Sequence, residues 1–99
     1  MTETYTSGTW MVKAGEEDAF VEAWEAFVKW ASKLPGSGTF RLVRNFEQPS
    51  HFLSFGSWES NEAARAWREH PEFPERLGRA RAHCDDFDAS SYEVVTTVE

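Results

Sequence analysis

The stretch "SFGSWESNEAARAWREHPEF", Ser54–Phe73, joins two kinds of periodicity at one point. Up to Trp58 it continues the β-rich run "HFLSFGSW", His51–Trp58, in which Phe52 and Trp58 share one parity and Leu53 and Phe55 the other. Ser60 then stands where a helix N-cap belongs, with Glu62 in the first turn, and Ala63, Ala64 and Trp67 follow at helical spacing. Pro71 pushes His70 out of helical space and ends that helix. Pro74 can open a further helix as its first residue, carrying Leu77, Ala80 and Cys84 inward. A strand therefore feeds a helix that is broken in two.

Working outward from this junction, "YTSGTWMV", Tyr5–Val12, reads as a first strand ended by Lys13-Ala14-Gly15. From Glu16 to Leu34 the apolar positions Phe20, Ala23, Trp24, Phe27, Trp30, Ala31 and Leu34 recur every three or four residues, and Pro35-Gly36 closes the helix. "GTFRLVRNF", Gly38–Phe46, pairs with His51–Trp58 across the turn Glu47–Ser50 as a hairpin. "SSYEVVTTV" near the C-terminus, Ser91–Val98, is the last β-rich run. The order β-α-β-β-α-β predicts an α+β, ferredoxin-like fold: a four-stranded antiparallel sheet with its helices on one face. Because the strands are apolar on both parities, the free sheet face calls for a cover. A second copy related by a twofold axis supplies it, so a homodimer is expected.

Ninety-nine residues make one domain, 1–99, with little area to stabilise it alone. Aromatic residues are 15% of the chain, five of them tryptophans, each able to bury about 150–250 Å². The net charge of −7 opposes binding to nucleic acid or an anionic membrane. Cys84 is the only cysteine, so no internal disulfide and no cysteine cluster can form. His83 beside Asp85 and Asp86 cannot present three metal ligands on one helical face. No run approaches about 18 apolar residues, and no basic leader precedes Lys13. A cytoplasmic protein without membrane, metal or nucleotide is the expectation.

The segments "SGTWMVKAGEEDAF", Ser7–Phe20, and "FLSFGSWESNEAARAWREHPEF", Phe52–Phe73, resemble the antibiotic biosynthesis monooxygenase superfamily of dimeric α+β barrels. That resemblance implies a pocket between helices and sheet for an aromatic substrate. Among such proteins some oxygenate polycyclic phenols to quinones without a cofactor, some degrade haem, and others isomerise small molecules. Trp67 falls on the pocket tryptophan of the haem-degrading members. Their axial histidine, however, falls on Leu77 and their strand asparagine on Gly8, so haem loses its ligand and haem degradation is disfavoured. Against the quinone-forming members Trp67 matches, whereas Phe73 stands where their tyrosine would be.

Cofactor-free oxygenation of a phenol needs aromatic walls, a proton acceptor and a cation to hold the substrate anion while it reacts with O2. Trp10, Trp24, Phe27, Trp58, Trp67 and Phe73 are the candidate walls. His70 and His51 are the candidate bases, and Arg76 or Arg44 the candidate cation. The expected function is a cofactor-independent monooxygenase of an aromatic or polycyclic phenolic substrate, with Trp67 and His70 as catalytic residues. A dimer that binds an aromatic ligand without turnover, or an isomerase of a small metabolite, stays open as an alternative.

Overall fold

A computed structural model describes residues 3–99. Its elements are β1 (Thr4–Val12), α1 (Glu17–Ala31), β2 (Ser37–Arg44), β3 (His51–Trp58), α2 (Asn61–Arg68), α3 (Phe73–Arg81) and β4 (Cys84–Glu93). The strands form one sheet in the order β2-β3-β1-β4 with every neighbouring pair antiparallel. This is the α+β, ferredoxin-like fold. The Cα envelope measures 42 × 35 × 18 Å, and its short dimension accommodates only a sheet and one layer of helices.

Alternation along each strand divides the sheet into a face under the helices and a free face. On β1, Thr4, Thr6, Gly8, Trp10 and Val12 are buried under the helices, while Thr9 on the other parity is exposed. Cross-strand register arranges the covered side chains in rows. One row reads Phe40, Gly56, Thr6, Ser91, and the next reads Leu42, Ser54, Gly8, Ala89. These two rows of mostly small residues lie between Trp58 on one side and Phe52, Trp10 and Phe87 on the other.

Helix α1 lays Phe20, Trp24, Phe27 and Ala31 onto the sheet. Glu17 and Asp18 occupy its first turn, where a negative charge suits the helix dipole. The Glu17 carboxylate accepts from the Gly15 backbone N–H at 2.9 Å and the Ser50 hydroxyl at 2.7 Å, which ties α1 to the β2–β3 turn. Those bonds, the one from Ser50 foremost, hold its pKa below the ordinary 4.5. α1 ends at Ala31, three residues short of Leu34, and Gly36 turns the chain into β2 at φ +83°. α2 starts as the sequence predicts: Ser60 Oγ accepts from the Ala63 N–H at 3.1 Å.

The last strand departs from the sequence reading. It spans Cys84–Glu93, not Ser91–Val98, and residues 94–98 have no regular structure. Cys84 accordingly begins a strand instead of lying on a helix. α3 begins at Phe73, with Pro74 as its second residue. The charged run "CDDFDAS" forms a strand because β4 is an edge with one face open to solvent, so Asp86 and Asp88 stay wet while Phe87 packs inward on Trp10 at 4.2 Å.

The core falls into two buried groups. Trp10, Val12, Phe20, Trp24, Phe52 and Ala80 form one, and Phe27, Ala31, Trp58, Ala64 and Trp67 the other. The small-residue rows of the sheet lie between these groups.

Candidate functional site

A cavity of about 350 Å³ opens above the two small-residue rows. That volume lies within the ~300–1,000 Å³ of small-molecule sites. The sheet supplies its floor through Thr6, Gly8, Ser54, Gly56, Ala89 and Ser91, and Phe40 and Phe87 flank it. From α1 come Trp24, Phe27 and Val28; from α2, Trp67 and Arg68; from α3, Phe73 and Leu77. Gly8 makes the floor possible. A Cβ there would come within 2.8 Å of Trp10 Nε1 and 3.0 Å of Ser54 Oγ.

Trp67 is the hub of the aromatic wall. It stacks on Trp58 with centroids 5.0 Å apart, meets Phe73 edge-on at 5.0 Å, and packs on Phe27 at 5.6 Å and Phe40 at 6.3 Å. Although the residue is only 8% exposed, its Nε1–H is buried without a hydrogen-bond partner among the described residues. Leaving such a donor unpaired costs about 1–3 kcal/mol. The two indoles carried by the sheet itself are committed: Trp10 Nε1 donates to Ser54 Oγ at 2.9 Å, and Trp58 Nε1 to Thr6 Oγ1 at 3.2 Å.

Of the side chains expected from sequence, Trp10, Trp24, Phe27, Trp67 and Phe73 meet around this cavity. Three others stand elsewhere. Trp58 lies behind Trp67 and Phe40 as packing, 1% exposed, and is not part of the lining. His70 sits in the break between α2 and α3, edge-on to Trp30. Its Nδ1 accepts the Glu72 N–H at 3.0 Å, which in the neutral ring places the remaining proton on Nε2 and leaves no free acceptor. Arg76 lies over the Trp30 ring at 4.9 Å with its guanidinium held by Glu72 at 2.8 Å, beside a separate depression of about 190 Å³. The remaining candidates also miss the cavity: His51 lies on the free sheet face, and Arg44 covers Phe52.

The one charged residue in the described lining is Arg68, which is not among the candidates read from the sequence. From α2 its guanidinium reaches across the mouth to Ser91 Oγ on β4 at 2.8 Å. Thr6, Ser54 and Ser91 were missed as well. A signal for them exists: small residues at i and i+2 in three strands, Thr6 and Gly8, Ser54 and Gly56, Ala89 and Ser91, mark positions where a covered sheet face is left unfilled. Among the described residues no three His, Cys, Asp or Glu side chains come together as a metal site. No described helix is long and apolar enough to cross a membrane.

A two-layer α+β protein with an apolar cavity under its helices, walled by indoles and entered past one arginine, defines the class. The antibiotic biosynthesis monooxygenase family matches over residues 5–75, and the chain belongs to that family. No curated protein matches it. Among solved structures it is similar to SnoaB, a cofactor-independent oxygenase from Streptomyces nogalater, at 16% identity and a TM-score of 0.88, covering 99% of this chain and 98% of that one. An asparagine-to-alanine mutant of SnoaB superposes with a TM-score of 0.89 at 17% identity, over 97% and 96% of the two chains. A conserved protein from Methanosarcina mazei has a TM-score of 0.82 at 14% identity, over 93% and 92%. At these identities the likeness is one of fold.

Proposed function

We propose that the protein is a monooxygenase that uses O2 on an aromatic or polycyclic phenolic substrate bound between helices and sheet, without a bound cofactor. The observation that carries this reading is the Trp67 indole N–H, buried and unpartnered in the wall of an apolar cavity. A donor kept dry and unpaired serves a ligand oxygen that gains negative charge, the requirement for stabilising a phenolate or enolate. Family membership and the likeness to a cofactor-independent oxygenase support the same reaction class.

The described lining contains no carboxylate or imidazole, so proton removal is assigned to the substrate's own acidity. Trp67 and Arg68 lower the pKa of an enolisable ring ketone by favouring its anion. The anion passes one electron to O2, and the radical pair joins as a ring hydroperoxide. Loss of the second proton from that carbon breaks the O–O bond, leaving a carbonyl and one water. For an anthrone, the whole step consumes one O2 and yields an anthraquinone and water.

The same missing base favours a second reading, that the cavity binds an aromatic ligand and turns nothing over. Oxygen uptake by the purified protein with anthrones and hydroquinones, measured against their uncatalysed autoxidation, tests both. Saturable uptake that falls in a folded Trp67→Phe variant is expected. Binding without uptake across the panel moves the assignment to the ligand-binding reading.

The half-exposed Val43, Leu53 and Tyr92, with Tyr5, Met11 and Phe55 beside them, give the free sheet face its apolar character. A second copy of the same sheet is the proposed cover, which makes the working unit a homodimer.

A further inference from the structure

The polar groups of the cavity floor share one hydrogen-bond pattern. Ser54 Oγ accepts from the Trp10 indole, Thr6 Oγ1 from the Trp58 indole and Ser91 Oγ from the Arg68 guanidinium. A hydroxyl carries one proton besides its lone pairs. None of these three protons has an acceptor among the described residues, although Thr6 is only 7% and Ser54 only 8% exposed. Each N–H that a hydroxyl accepts also polarises it towards donating.

Their placement gathers these hydroxyls around one space. Thr6 pairs with Ser91 across β1 and β4, and Gly8 pairs with Ser54 across β1 and β3, so the hydroxyls occupy adjacent rows of the floor. Ser54 Oγ stands 3.0 Å from the point where a Gly8 side chain would begin, a point also crowded by Trp10 Nε1 at 2.8 Å, so the absence of a side chain at Gly8 leaves both groups in place on the floor. Trp67 Nε1, in the helix layer, adds a fourth unspent donor. The described lining thus presents donors from sheet and helices, with no carboxylate or imidazole to receive a ligand's N–H or O–H.

We propose that Thr6, Ser54 and Ser91 determine specificity by donating to acceptor oxygens, ring carbonyls or phenolates, on the edge of the ligand that faces the sheet. Trp10, Trp58 and Arg68 are positioning residues that hold the three hydroxyls as donors. The proposal rests on the cavity being the ligand site, as the oxygenase reading also requires, but it needs no turnover. It selects for rings oxygenated on more than one side, since Trp67 reaches from the helix layer and the hydroxyls from the sheet. A ring of the same size without oxygen leaves the buried donors, Thr6, Ser54 and Trp67, dry and unpaired.

The test is equilibrium binding, followed by tryptophan fluorescence under anaerobic conditions, of three compounds on one ring frame: anthracene, anthrone and anthraquinone. Affinity is expected to rise with each carbonyl, with anthraquinone at least about tenfold tighter than anthracene, as one or two neutral hydrogen bonds allow. Ser54→Ala and Thr6→Val should each weaken anthraquinone about fivefold while leaving anthracene unchanged, and Thr6→Ser should restore the wild-type value. If the buried variants do not fold, Ser91→Ala at the exposed mouth carries the same comparison. Equal affinity for the three compounds, equal losses for anthracene and anthraquinone, or no binding by any of them overturns the proposal. Carbonyl-selective binding without oxygen uptake sinks the oxygenase reading and leaves this one standing; oxygen uptake with an affinity blind to carbonyls does the reverse.

Discussion

Trp67 combines two roles that usually exclude each other, since a side chain packed on four aromatic rings is core and a side chain in a cavity wall with a dry, unpaired donor is a candidate binding group. The two separate on substitution. Trp67→Phe keeps most of the ring packing and removes the unpaired N–H, so thermal unfolding should report a stability change of less than about 1 kcal/mol. Turnover should fall by about two orders of magnitude, the usual loss when one donor to a developing oxyanion is removed. Trp67→Ala should cost about 3–5 kcal/mol in the same unfolding experiment, because it also empties the hub. Cys84 is a second residue with a sharp expectation. Burial, followed by the neighbouring Asp85 charge, pushes its thiol from 9.0 up to about 11. At pH 8 the thiolate is then roughly a hundredfold scarcer than in an unfolded chain, and iodoacetamide should label native protein slower by about that factor. Residue type and the family resemblance singled out Trp67, which lines the cavity, whereas His70 and Arg76, singled out by residue type, do not line it. What disqualifies them is a partner: the Glu72 N–H occupies the imidazole, and the Glu72 carboxylate the guanidinium.

Elements with strong local signals were legible, and β3 matches its expected limits from His51 to Trp58. Two features made α2 readable: a serine cap at its start and a proline three residues past its end. β4 was not readable by composition, since three aspartates in "CDDFDASSYE" argue against a strand and "VVTTV" argues for one. Pairing along β1 outweighs both preferences, because strand propensity reflects the neighbours a side chain meets. The pocket was implied by the family resemblance, but its floor was not placed, for a related reason: it is built from small side chains, and only the cross-strand register aligns Gly8, Ser54, Thr6 and Gly56. Gly8→Ala should therefore act on the site before the fold. Its Cβ presses on Trp10 Nε1 and Ser54 Oγ, and the expected outcome is a stability loss of about 1–3 kcal/mol in denaturant titration, with anthraquinone affinity reduced well beyond that of Ser91→Ala. At the α1 terminus, the depressed Glu17 pKa favours the folded state at all pH above 4.5, and this support is lost as pH falls through the lower folded value. Glu17→Gln should accordingly flatten the acid limb of a stability-against-pH profile below 4.5 and leave the slope near neutrality unchanged.

For the whole molecule, the free face of the sheet has a charge pattern as well as an apolar centre. Val43 and Leu53 pair across β2 and β3 and are each 43% exposed. On the β2 edge of that face stands Arg41, opposite Phe55; on the β4 edge stand Asp86 and Asp88, opposite Met11 and Thr9. A twofold axis running along the strands would lay the β2 edge of one protomer over the β4 edge of its partner and bring these opposite charges together. An axis across the strands would instead set like edges over each other. In the proposed homodimer, charge would favour the first arrangement, with the apolar centre contributing the area and the edges the register. Sedimentation at micromolar concentration should find a dimer at low salt that weakens as ionic strength rises. Leu53→Glu, which buries an unpaired carboxylate at the centre, should give folded monomer. Arg41→Glu should weaken the dimer while leaving the helix-side cavity and its affinity for anthraquinone in place. A wild-type chain that sediments as a stable monomer, or an Arg41→Glu dimer that tightens, would rule out this packing, because both the cover and its charge pairing are then absent.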